Sequence, residues 1–195
     1  MTELLLAISG AGMLLSILAG IRAPKCWLVA VLAGSVAALG AAAVTLNTGN
    51  VWDFKNTATF GGEIIHLHLD SLGAVFLALL SVVGGAGAVY SQEYWSRKAH
   101  PRSAAAGRIW WSVLMLCIAL VLIAANGLHF LFAWEIFTLA AYLLVTLDRS
   151  SRDVRAAGWL YLGASHVAAL SLFAFFAILA ANTGSWELGP MHDRP

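Results

Sequence analysis

Charge is scarce in this sequence. Asp, Glu, Lys and Arg make up 11% of its 195 residues, against about 25% in an ordinary soluble domain, which excludes a water-solvated globular fold. Cysteine is scarcer: Cys26 and Cys117 lie in or beside different apolar segments, and neither belongs to a CxxC or Cys/His cluster. Iron-sulfur, zinc-finger and nickel ligation therefore have no ligand set, and no cofactor is expected on the chain itself. Any redox chemistry belongs to a partner. The net charge of +1 lacks the basic excess of a nucleic-acid binder, so no nucleic acid is expected among the partners. No internal repeat of about 20 to 50 residues is evident.

What is present is apolar length. Hydrophobic residues make up 61% of the chain and the mean hydropathy is +0.82. Six apolar segments lie near 4–21, 26–46, 71–90, 109–125, 128–147 and 158–181, each long enough to cross a hydrocarbon core of about 30 Å. Backbone polar groups in lipid must pair within their own segment, so these are helices. The expected fold is all-α: a polytopic transmembrane bundle of about six spans, one domain over 1–195, with an extracytoplasmic loop at 47–70 and an extracytoplasmic tail at 182–195. The first segment reads as a retained helix, because Thr2 and Glu3 precede it while Arg22 and Lys25 follow, the reverse of a signal peptide.

Alternating spans put Arg22, Lys25, Arg97, Lys98, Arg102, Arg108, Arg149, Arg152 and Arg155 on one side, and only Lys55 and Arg194 on the other. By the positive-inside rule the chain lies in the inner (cytoplasmic) membrane with both termini extracytoplasmic. Trp27, Trp95, Trp110, Trp111 and Trp159 fall at the cytoplasmic helix ends, as an aromatic belt does.

The outer loop ends in IIHLHLD (64–70), which alternates like a short strand. His66, His68 and Asp70 would share one face at a metal-like spacing, but no fourth ligand is visible. A solvated strand face is the plainer reading, and no metal is expected. The inner loop at 91–108 is basic; besides marking topology, it suits anionic lipid or a partner subunit. The AANG turn around Asn126 forces an antiparallel helical hairpin, and small-residue runs at 33–43 and 82–88 allow close helix packing.

The chemistry-bearing stretch is FLFAWEIFTLAAYLLV (130–145), with Glu135 near its middle. A charged side chain at the centre of a span costs roughly 2.5 to 3.5 kcal/mol on insertion scales. Glu135, Thr138, Tyr142 and Thr146 recur at helical spacing and form one polar stripe, which should face the bundle or a file of water. A carboxyl there, exchanging between its charged and neutral forms, is what a proton relay needs; the alternative is a structural network of hydroxyls around a protonated acid. His166 is the other titratable group at mid-membrane. An imidazole suits proton transfer, although a lone His on an apolar face is often only a satisfied core residue. The candidate proton path is Glu135, His166, Thr138 and Tyr142.

LDSLGAVFLALLSVV (69–83), VYSQEYW (89–95), FLFAWEIFTLAAYLLV and AGWLYLGASHVAALSLFAFFAILAANTG (157–184) resemble the amino-terminal half of the proton-conducting, antiporter-like membrane subunits of complex I and Mrp antiporters. The His-bearing sixth helix looks most like hydrogenase-4 component B and the related formate hydrogenlyase subunit. The resemblance implies that Glu135, in the WE motif, is the family glutamate of the fifth helix, paired with a lysine on a later helix. Members have about fourteen helices, with lysines and proline-broken helices from the seventh onward. This chain ends after six, and Lys25, Lys55 and Lys98 lie in loops or at helix ends. The resemblance therefore implies a truncated or split product whose glutamate lacks its cation. The function it implies is a proton-translocating subunit, or a fragment of one, in a membrane-bound hydrogenase or NADH-quinone oxidoreductase-like complex. Its partners would be other membrane and peripheral subunits, the lipid bilayer and protons. The alternatives are a non-conducting scaffold or assembly subunit, and a cation/proton antiporter subunit.

Overall fold

The computed structural model describes residues 1–189. It is an all-α membrane bundle carrying one β-hairpin: α1 (Thr2–Gly20), α2 (Pro24–Thr48), β1 (Trp52–Phe60), β2 (Glu63–Leu69), α3 (Ser71–Tyr94), α4 (Ala104–Ile123), α5 (Gly127–Val145) and α6 (Arg152–Thr183). Among the described residues all six helices are long and apolar enough to cross a membrane.

Lipid is as apolar as leucine, so packing here depends on close fit rather than on expulsion of water. α1 and α2 approach through glycines: a Cβ on Gly12 would lie 3.0 Å from the Gly34 Cα. α3 receives α4 in the same way, the Met115 side chain filling the space a Cβ on Gly84 would need. Two cores result. One, at the hairpin end, joins Ala38, Ala42, Leu69, Ala74, Leu77 and Ile123. The other, toward the basic end, joins Met13, Trp27, Val31, Ala88 and Met115. Large apolar side chains cover the outside, Leu18, Val36, Leu72, Leu160 and Leu170 among them.

The loop between α2 and α3 is more ordered than alternation alone foretells. β1 and β2 pair antiparallel about a two-residue turn at Gly61 and Gly62, whose φ values of 64° and 88° select glycine. Asp70 does not continue the strand face of His66 and His68. It caps α3 instead, its carboxylate accepting from the Gly73 N–H at 2.7 Å, which satisfies an otherwise orphan donor.

α6 packs chiefly on α5 and starts at Arg152, ahead of its apolar run. After it the chain turns back over the α4–α5 connection. The Gly127 N–H donates to the Trp186 carbonyl at 2.8 Å, the Leu188 N–H to the Ala125 carbonyl at 2.7 Å, and the Ala125 N–H to the His66 carbonyl at 3.1 Å. The expected tail at 182–195 is thus backbone-paired at Trp186 and Leu188; residues 190–195, with Arg194, lie outside the described residues.

Candidate functional site

The start of α5 is fixed by Asn126, a fully buried residue. Its side-chain oxygen accepts from the N–H groups of Leu128 at 2.9 Å and His129 at 3.4 Å, and its amide nitrogen donates to the Glu63 carboxylate at 3.3 Å. With the helix phased in this way, Glu135 stands near the midpoint of α5 and faces α6. There the His166 Nε2 lies 4.0 Å from the Glu135 Oε2.

The His166 Nδ1 lies 2.9 Å from the Leu162 carbonyl oxygen, one turn back on its own helix. A carbonyl only accepts, so Nδ1 carries a proton and Nε2 is the nitrogen left to exchange with the acid. The pair then has two arrangements of one proton, either on Glu135 beside a neutral imidazole or on Nε2 beside a carboxylate. At 4.0 Å the groups are at ion-pair separation, and transfer requires a small approach or a bridging water.

The rest of the expected path is assembled differently. Thr138 and Thr146 are buried, but each hydroxyl donates back to its own helix, Thr138 to the Glu135 carbonyl at 2.9 Å and Thr146 to the Tyr142 carbonyl at 2.8 Å. Such back-bonding satisfies a hydroxyl without linking it to a neighbour. Tyr142 stands two turns from Glu135, about 10 Å along the axis, and its ring packs near Trp159 at a centroid distance of 6.4 Å. Tyr142 and Thr146 form the seat for Gly158: a Cβ there would lie 2.3 Å from the Thr146 Cγ2. The stripe is real, but its far end makes the α5–α6 contact and only Glu135 meets a titratable partner. Neither side chain of the pair is sealed off, with Glu135 40% and His166 49% exposed.

A second polar cluster lies at the hairpin end. Asp53 sits opposite His68 in the hairpin register and its Oδ1 lies 2.7 Å from the His66 Nε2 and 3.2 Å from the His68 Nδ1. The other ring nitrogen of His66 meets Glu187, and Lys55 lies 3.9 Å from the same carboxylate oxygen. The hydrogen bond from His66, helped by that from His68, holds the Asp53 carboxyl below its ordinary value of 3.8. Among the described residues no group of three or more His, Cys, Asp or Glu side chains is arranged to hold a metal ion. The sequence signal for the hairpin half of this cluster was the alternation of IIHLHLD; nothing local marked Glu187 as its partner.

No family model matches the sequence. Over 124 residues, 62% of its length, the chain is 31% identical to the uncharacterized proteins MT0090 and Rv0083 from two strains of Mycobacterium tuberculosis, and the match covers 18% of each. The chain thus spans under a fifth of the length of the curated relatives it matches. In three dimensions 95% of it superposes on 38% of a chain from the membrane-bound sulfane sulfur reductase MBS, an archaeal respiratory membrane complex, with a TM-score of 0.75 at 13% identity. That likeness is one of fold. With the six spans, it makes this chain a multi-pass membrane protein.

Proposed function

We propose that the chain is part of a membrane subunit in a redox-coupled respiratory complex, and that it moves protons through the Glu135–His166 pair. The observation that carries this reading is a carboxyl and an imidazole on adjacent helices, 4.0 Å apart at mid-span, with the imidazole's second nitrogen committed to a backbone carbonyl. Intramembrane titratable groups are expensive to hold and mark proton relays. His166 also offers Glu135 a basic partner, which the three lysines do not. The fold shared with a chain of a respiratory complex supports the wider setting, and the His-bearing sixth helix favours a subunit of the hydrogenase-4 component B type within it. The excess of arginine and lysine at one end supports an inner-membrane orientation with both termini extracytoplasmic.

In vesicles holding the assembled complex, Glu135→Gln is expected to abolish proton movement coupled to electron transfer while the amount of assembled complex stays unchanged. A scaffold or assembly role is the second reading. It draws support from Thr138 and Thr146, whose hydroxyls serve their own helix, and it predicts lost assembly with unaltered transport per assembled complex. A cation/proton antiporter subunit would instead show exchange independent of electron transfer.

A further inference from the structure

At the basic end, α3, α4 and α5 and the loops beside them enclose a cavity of about 560 Å³. Arg108 forms part of its wall and is only 7% exposed. Its Nε donates to the Gly20 carbonyl at 3.0 Å, which leaves four guanidinium N–H donors. Among the described residues no carboxylate lies within ion-pair distance of it. Arginine does not escape such a position by losing its proton, and a buried cation without a counter-charge is strongly unfavourable. The site asks for an anion.

Three further observations define that anion. The first turn of α4, at Ala104 and Gly107, lines the same cavity; their N–H groups already donate to the His100 and Ser103 carbonyls, so the turn contributes the positive end of the helix dipole and no free donor. Arg97 lines the cavity from its exposed rim and adds a second cation. Trp95, Trp111, Leu144 and Val145 complete the wall, joining amphipathic aromatics to an apolar surface at the ends of membrane-spanning helices, where headgroups lie. The acid in the lining, Asp148, is exposed and its Oδ1 accepts from the Ser150 N–H at 3.1 Å and hydroxyl at 2.6 Å.

We propose that this cavity is a specific site for an anionic phospholipid. Arg108 holds the phosphate beside the positive end of α4, Arg97 neutralises a second negative charge, and the acyl chains run along Leu144, Val145 and Trp111. Guanidinium forks match phosphate oxygens in pairs, which a point charge does not.

The test uses the full-length protein, purified in mild detergent and presented with phosphatidylglycerol, phosphatidylcholine or inorganic phosphate. Native mass spectrometry should show phosphatidylglycerol retained, and it alone should raise the thermal midpoint. Arg97→Gln should cut retention several-fold, and Arg108→Lys, which keeps the charge and loses the fork, should cut it at least as far. Circular dichroism of both variants establishes that they remain folded. Equal retention of phosphatidylcholine, or unchanged retention in both folded variants, overturns the proposal. Stabilisation by inorganic phosphate to the same extent would make this a free-anion site and also overturns it. So would capture of an acidic partner subunit at Arg97 with no lipid retained.

Discussion

Trp27 has no exposed surface, and its indole N–H donates both to the Ser112 hydroxyl at 2.8 Å and to the Arg108 carbonyl at 3.1 Å. It read from sequence as one member of an interfacial belt; in the structure it ties α2 to α4, the helix that presents Arg108. Trp27→Phe keeps most of the volume and removes the donor. Buried polar contacts between membrane helices average about 0.6 kcal/mol and reach roughly 1.7, so a fall of that size in unfolding free energy is expected in a denaturant titration in detergent. Glu135 and His166 were each legible, because a titratable side chain inside an apolar run announces itself. Their pairing was not. Periodicity assigns a residue to a face of its own helix but does not say which neighbour that face meets. If they act as one unit, Glu135→Gln and His166→Ala are strongly non-additive: the double variant should transport no less than the worse single variant, measured as proton uptake per assembled complex.

The seam between α5 and α6 sets that pairing. Gly158 fits against Thr146 and Tyr142 with no room for a Cβ, whereas a Cβ on Gly163 would meet nothing within 4 Å. Gly158→Leu must therefore displace α6, at a cost of about 1 to 3 kcal/mol for overpacking, and should reduce proton transport by separating Glu135 from His166. Gly163→Leu, whose Cβ enters open space, should leave both stability and transport nearly unchanged. The contrast between the two glycines was invisible in AGWLYLGASH (157–166), since close approach is a property of two surfaces. Helix ends show the same divide. Apolar runs marked all six helices, but α6 is 32 residues long, about 48 Å, because its first turn carries Arg152, Asp153 and Arg155, which hydropathy alone leaves out. β1 was not foreseen either: WDFKNTATF mixes polar and apolar residues without a clean period, and its strand character comes from pairing with β2.

Across the molecule, class and span number were written in the scarcity of charge, while closure at the hairpin end was not. Glu187 and His66 are separated by 121 positions, and no local pattern encodes a meeting at that range. The cluster they form with Asp53 carries a pH dependence whose sign is fixed. Asp53 is more acidic when folded than its ordinary 3.8, so its stabilising contribution is complete above that value and disappears as the pH falls through its lower, folded value. Half-exposed as Asp53 is, the effect is modest. Hydrogen exchange in residues 63–69 and 124–126 should quicken as the pH drops below 3.8, and Asp53→Asn should flatten that response. The contact between His66 and Glu187 also imposes parity on the path of the chain. Two residues that touch outside a bilayer are separated by an even number of crossings, and four helices, α3 to α6, lie between these two. A single failed insertion among them would strand Glu187 on the opposite face from His66, so the closed cluster can form only when the crossings between them are completed in pairs.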